Sequence, residues 1–220
     1  MRSAIYLARL KVLIALTITV IAIPSDKILA LESIEKQFNL KEGAPAPPHE
    51  LEDIVMGSHK APHTIVEYAS MTCGACADFH NNVLPQITEK YIRAGEVKFI
   101  LREFPLDATA AAASLVARCA GEDKYSAVVD ALFASQRAWR ASKKDARIWL
   151  YAAARSAGLS RREYNQCLAD DELFDKIVRA ARIARTRLGI NSTPTFFING
   201  SRVVGKINLG DLEVMFAAEP

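Results

Sequence analysis

Between residues 108 and 188 the chain shows helical periodicity and no strand signal, whereas the segments on both sides are built from β-branched and aromatic runs. An α/β unit opened before residue 108 must therefore be completed after residue 188, with a helical block set into it. On the N-terminal side, Ile54-Val55-Met56 ends at Gly57-Ser58 and reads as a short strand followed by a turn. Thr64-Ile65-Val66-Glu67-Tyr68 and Val97-Lys98-Phe99-Ile100-Leu101 read as further strands, the latter closed by Phe104-Pro105. Phe79, Val83, Leu84 and Ile87 recur at helical spacing between them, and Pro85 predicts a kink in that helix. On the C-terminal side, Thr195-Phe196-Phe197-Ile198 and Arg202-Val203-Val204 flank Asn199-Gly200, two residues that tolerate the positive φ of a tight hairpin. Asn208 then caps a last helix through Phe216. The order is β-β-α-β, helices, β-β-α, which is an α/β fold with an inserted all-helical domain.

Within the block, Leu173, Ile177, Ala180, Ala181, Ala184 and Leu188 form one apolar stripe, and Lys176, Arg179, Arg182 and Arg185 fall off it. Those four cations read as a solvated face or, alternatively, as a site for an anionic partner. Ser160-Arg161-Arg162-Glu163 is a capping box that starts a further helix.

Charge separates the N-terminus from the rest. Residues 1–30 hold Arg2, Arg9, Lys11 and Lys27 against Asp26, which accounts for the whole net charge of +3. Subtracting these from 28 basic and 25 acidic side chains leaves 24 of each, so the body gives no electrostatic footprint for nucleic acid. Three of those cations precede the uncharged apolar run Val12–Ile23; Pro24-Ser25 break it, and Ile28-Leu29-Ala30 is a candidate cleavage box. Residues 1–30 therefore read as a signal peptide. The apolar run is short of the roughly 20 residues that span a bilayer, which favours cleavage over the alternative of an uncleaved anchor. Either way the body is expected in an oxidising compartment, where disulfides persist. Gly43, Pro45, Pro47 and Pro48 make residues 31–48 a spacer, with a short helix over Leu31–Phe38. The expected units are then 49–107 and 189–220 for the α/β part and 108–188 for the helical one.

Cys73-Gly74-Ala75-Cys76 comes directly off a strand and opens a helix. The unpaired N–H groups and the dipole of a helix N-terminus favour a thiolate, so Cys73 is expected to be acidic and reactive. Cys76, three residues on, lies on the same face and can resolve a mixed disulfide. Gly74 and Ala75 are small and leave the approach to sulfur open. Half a zinc site is a competing reading, but no second C-x-x-C or paired-His motif supplies two more ligands. A purely structural bridge here would close almost no loop and stabilise little. Thr193-Pro194 opens the first strand of the hairpin, and the sequence alone leaves its peptide bond cis or trans.

Taken in chain order, several pieces resemble one family. They are Val66-Glu67-Tyr68, Cys73-Gly74-Ala75-Cys76 with Phe79-His80 and Leu84-Pro85, Arg102-Glu103-Phe104-Pro105, and Ser192-Thr193-Pro194-Thr195-Phe196-Phe197-Ile198-Asn199-Gly200. Over about residues 49–216 the chain resembles the DsbA-like thiol:disulfide oxidoreductases of the thioredoxin superfamily. The resemblance implies a thioredoxin fold with Pro194 in cis beside the cysteine pair, where Thr193 and Pro194 would meet substrate backbone and metal would be kept from the sulfurs. It implies Cys73 as nucleophile, Cys76 as resolving thiol, and Glu67 as a buried acid that exchanges a proton with Cys76. An edge-facing charge is the alternative for Glu67, and His80 reads equally as a tuning residue or a surface histidine. Neither metal nor soluble cofactor is implied.

The resemblance further implies a monomeric periplasmic oxidase that acts on unfolded exported proteins with free cysteines. A DsbB-type membrane partner would reoxidise it. The alternatives are a disulfide isomerase or reductase and, from a different class, a non-catalytic thioredoxin-like binding module. Two departures bear on direction. Gly-Ala replaces the Pro-His found between the cysteines of strong oxidants, which removes an imidazole that stabilises the thiolate and implies a milder oxidant. Thr193 before Pro194 resembles the isomerase and reductase branches. The remaining cysteines, Cys119 and Cys167, read as a structural disulfide, with separate buried thiols as the alternative. Some relatives carry such a second bridge; here it would close a loop of 48 residues, worth about 3–4 kcal/mol on the chain-entropy scale.

Overall fold

The computed structural model describes residues 51–141 and 145–218. The segments read as a signal peptide and a spacer, with the helix expected over Leu31–Phe38, lie outside the described residues. Among the described residues no helix is long and apolar enough to cross a membrane.

Strand β1 (Val55–Met56) is followed by β2 (His63–Ala69). Helix α1 (Gly74–Asp78) then passes through a π-helical turn, Phe79–Val83, into α2 (Leu84–Ile87) and a second π turn, Thr88–Ile92. The break expected at Pro85 is thus a change of helical pitch. Pro85 sits in the first turn of α2, where its missing N–H leaves few acceptors unpaired. Strand β3 (Val97–Glu103) precedes five helices: α3 (Ala108–Cys119), α4 (Glu122–Ala141), α5 (Ala146–Ser156), α6 (Arg161–Leu168) and α7 (Asp171–Leu188). The chain closes with β4 (Thr195–Ile198), β5 (Ser201–Val204) and α8 (Leu209–Ala218).

The five strands form one sheet in the order β1-β3-β2-β4-β5. β2 pairs parallel with β3 and antiparallel with β4, so Glu67 lies between Leu101 and Phe196 at the centre of the sheet. A strand in that position is buried on both faces, which is why Ile65 to Ala69 reads as a continuous apolar run broken only by Glu67. Alternation then assigns the faces. Val66 and Tyr68 pack with Ile100, Phe104, Phe197 and the Ala184 face of α7. Ile65 and Ala69 pack with Phe79, Phe99, Phe196 and the Val128, Leu132 and Phe133 stripe of α4. Glu67 shares this second face. Most of the helical block shares the interior of the sheet, since Leu150, Tyr164 and Cys167 belong to the same continuous core, while Leu115, Ile177 and Ala180 form a smaller cluster with Leu51.

Local chemistry sets the boundaries. Asp107 and Asp170 cap α3 and α7 through their side chains, and Ser160 and Glu163 form the reciprocal capping box of α6. The β4–β5 turn has Asn199 at φ 49° and Gly200 at φ 88°, as a two-residue primed turn requires. Asn199 Oδ1 also accepts the Thr64 N–H at 2.9 Å, which fixes the hairpin to the start of β2. On α7, Ile177, Ala180 and Ala184 are buried and Arg179, Arg182 and Arg185 are exposed, with Lys176 paired to Glu172. A disulfide joins Cys119 at the end of α3 to Cys167 on α6, with Cα atoms 5.4 Å apart.

The charged residues of Arg102-Glu103-Phe104-Pro105 are buried clamps. Arg102 grips the Asp53 carboxylate through Nε (2.9 Å) and Nη2 (2.7 Å) and donates to the Tyr68 hydroxyl. Glu103 accepts from Arg118 at 2.7 and 3.0 Å and from the Tyr125 hydroxyl at 2.7 Å, which ties β3 to α3 and α4.

Candidate active site

Strand β2 delivers the chain to Ser70-Met71-Thr72, and Cys73 is the N-cap of α1, in an extended conformation. Its sulfur accepts the Cys76 N–H at 3.2 Å, the contact an N-cap oxygen usually makes. Four hydrogen bonds fix this approach. Thr72 Oγ1 donates to Asp107 Oδ2 at 2.7 Å, and Ser70 Oγ accepts the Leu106 N–H at 3.3 Å. From α4, the buried Gln136 Nε2 donates to Met71 O at 2.9 Å and to Cys73 O at 2.8 Å. Gln136 was not expected from its sequence context, although a signal exists. Tyr125, Val128, Val129, Leu132 and Phe133 are an apolar stripe, and Gln136 continues it where an apolar residue is due.

Because β4 runs antiparallel to β2, its N-terminal end meets the C-terminal end of β2. Thr193-Pro194 therefore lies against the cysteines. Its peptide bond is cis, and Cys73 Sγ lies 3.2 Å from the Thr193 carbonyl oxygen, to which it donates when protonated. Thr195 Oγ1 closes the loop by donating to Ser192 O at 2.8 Å.

The two cysteines are in the dithiol form and differ sharply. The Cys73 thiol is lowered to about 6, chiefly by the Cys76 thiol as hydrogen-bond donor. Burial opposes this; the Thr193 side chain and the N–H groups of Cys76 and Ala75 add to it. Cys73 is thus predominantly thiolate at neutral pH. Cys76 is fully buried, and its thiol is pushed well above the usual range by burial first, then by the Cys73 sulfur and the charge of Glu67.

Glu67 is not at an edge and His80 is not on the surface. Glu67 is 0 % and His80 6 % exposed, and Glu67 Oε2 is 2.8 Å from His80 Nε2. The imidazole stacks on Phe133 at 4.2 Å and stands edge-on to Phe79 and Phe99. The place of His80 follows from the π turn, whose wider ring sends the consecutive residues Phe79 and His80 both inward.

Beside the cysteines an open groove of about 720 Å³ is lined by Gly74, Ala75, Gln136, Arg137, Arg140 and Lys206, among others. Lys206 pairs with Asp78 at 2.7 Å. A side chain at position 74 would start 3.5 Å from Arg140 Nη1, an ordinary van der Waals contact that places the guanidinium beside the small linker of the pair. No group of three metal-ligating side chains occurs among the described residues.

A cysteine pair capping the helix that follows the central strand, faced by a cis-proline loop, defines a thioredoxin-type thiol-exchange site. The chain belongs to the thioredoxin family: the family model described as Thioredoxin matches residues 49–215. Within that family it belongs with the DsbA-like proteins. Wolbachia pipientis alpha-DsbA1 superposes with a TM-score of 0.70 at 34 % identity, over 79 % of this chain and 92 % of that one. A Rickettsia bellii protein named for protein-disulfide oxidoreductase activity is 30 % identical over 149 residues, 67 % of this chain and 57 % of the relative. A Rickettsia conorii protein of the same description matches at 30 % over 67 % of this chain and 53 % of its own length. The chain thus spans little more than half the length of these curated relatives.

Proposed function

We propose that the protein is a periplasmic dithiol oxidase that introduces disulfides into exported proteins. Oxidised Cys73–Cys76 is attacked at Cys73 by a client thiolate, giving a mixed disulfide and freeing Cys76. A second client thiolate then attacks its own mixed-disulfide sulfur, and Cys73 leaves as thiolate. A DsbB-type membrane partner returns the pair to the disulfide, and no soluble cofactor takes part. Thr193 and Pro194 hold the client backbone beside Cys73, and Glu67 exchanges a proton with Cys76.

The observation that carries this reading is the asymmetry of the pair: Cys73 is lowered to about 6 while Cys76 is buried and held as a thiol. A stabilised thiolate favours the reduced enzyme and makes its disulfide the stronger oxidant. With Gly74 and Ala75 between the cysteines, that stabilisation comes from Cys76, Thr193 and backbone N–H groups rather than from an imidazole, which fits a milder oxidant. The test is a trap. Cys76→Ala, expressed in cells, should accumulate mixed disulfides with exported cysteine-containing proteins, and Cys73→Ala should accumulate none. Equal capture by both variants would favour a non-catalytic binding module.

A further inference from the structure

Two buried polar atoms beside the cysteine pair, Glu67 Oε1 and His80 Nδ1, have no hydrogen-bond partner among the described residues. They belong to one unit, joined through Glu67 Oε2 and His80 Nε2 at 2.8 Å, with side chains 0 % and 2 % exposed. Towards the active site, the charge of Glu67 acts on Cys76, which is itself sealed from water. Away from it, His80 forms part of the wall of an open cavity of about 490 Å³, distinct from the groove beside Gly74. Asp130 lines the same cavity, and its carboxylate lies in the field of His80. Net charge on a buried pair is costly, so a proton given to or taken from Cys76 has to be replaced from outside.

We propose that His80 is the proton port of Cys76: the Glu67–His80 pair exchanges a proton with the Cys76 sulfur at Glu67 and with water in the Asp130 cavity at His80. The inference rests on Cys76 being the resolving thiol. When a client thiolate attacks Cys73, the Cys73–Cys76 bond breaks, the Cys73–client bond forms and the electron pair stays on Cys76. One proton passes from the pair to that sulfur, and the pair regains one from water. In the reverse direction Cys76 gives its proton to the pair and attacks Cys73 in the mixed disulfide. The intramolecular bond re-forms, the partner leaves as thiolate, and the pair sheds one proton through His80. His80 acts through Glu67 and is a positioning and proton-carrying residue.

The titratable groups around His80 are Glu67 from β2, Asp130 and Tyr125 from α4 and Cys76 from α1, with the Glu89–Arg93 pair at the cavity wall. Burial holds the Tyr125 phenol well above its ordinary range, so it stays neutral throughout.

The reduced full-length protein reacting with a chromogenic aromatic disulfide separates the two thiols. Release of the first aromatic thiol reports attack by Cys73, and release of the second reports resolution by Cys76. His80→Ala should leave the first phase unchanged, slow the second by at least about tenfold and alter its pH profile. Free imidazole, which can enter through the open cavity, should restore the second phase. His80→Gln, which hydrogen-bonds but carries no exchangeable ring proton, should remain slow, and it serves as the test if the alanine variant does not fold. A second phase at the wild-type rate in His80→Gln would overturn the inference, as would a slow His80→Ala that imidazole does not restore. Failure of the wild type itself to release a second equivalent would instead sink the reading of Cys76.

Discussion

Gln136 on α4 and Cys73 at the head of α1 are joined by a buried hydrogen bond of 2.8 Å between the Gln136 amide and the Cys73 carbonyl. The same amide holds Met71 O, so the helical block grips both sides of the turn that presents the reactive sulfur. Replacing Gln136 with Ala leaves Met71 O without that donor and Cys73 O with only the Ala77 N–H. Chemical denaturation should show a loss of about 1–3 kcal/mol, the cost of a buried acceptor left unpaired. Gln136→Glu should cost more, because its carboxylate would face two carbonyl oxygens.

The Cys73 thiol should titrate with a midpoint near 6, read by thiolate absorbance or by the pH dependence of alkylation. Its value in the folded protein lies below that of an unfolded thiol. The reduced protein therefore gains stability as pH rises from about 6 to about 9 and loses it as pH falls back through the folded value. The oxidised protein lacks this titration. The difference in thermal midpoint between the two forms should accordingly shift towards the reduced form over that interval.

Much of this site could be read from residue order. A β-branched run leading into Cys73 fixed the strand-to-helix junction, Asn199-Gly200 fixed the hairpin, and the stripe from Leu173 to Leu188 fixed the buried face of α7. The pairing of Glu67 with His80 could not, because it depends on a π turn that periodicity does not reveal and on alternation in a strand buried on both faces. Arg102, Glu103 and Gln136 are also buried against expectation for their types. Each finds its partner across the fold, with Asp53, Arg118 and Cys73 lying 49, 15 and 63 residues away.

Removing the second disulfide with paired Cys119→Ser and Cys167→Ser changes should destabilise the protein by about 3–4 kcal/mol, because a 48-residue loop is released in the unfolded chain. Denaturant midpoints measure this. The alkylation rate of Cys73 should stay the same, since the bridge ties α3 to α6 and not to α1.

Arg137, Arg140 and Lys206 line the groove beside Gly74 and Ala75, which also holds Asp78, paired to Lys206. Anionic thiols should therefore react faster than cationic ones. The ratio of exchange rates with glutathione and cysteamine should fall as salt is raised and fall again in Arg140→Glu. A ratio indifferent to both changes would remove the groove from any part in client selection.

The direction of thiol exchange is tested most directly by equilibrating Cys73–Cys76 with glutathione buffers of known poise. A dithiol whose first thiolate is held near 6 should give a reduction potential well above the roughly −270 mV of thioredoxin, and below the roughly −120 mV of the strongest oxidants. Equilibration at about −270 mV or lower would contradict the assignment as an oxidase.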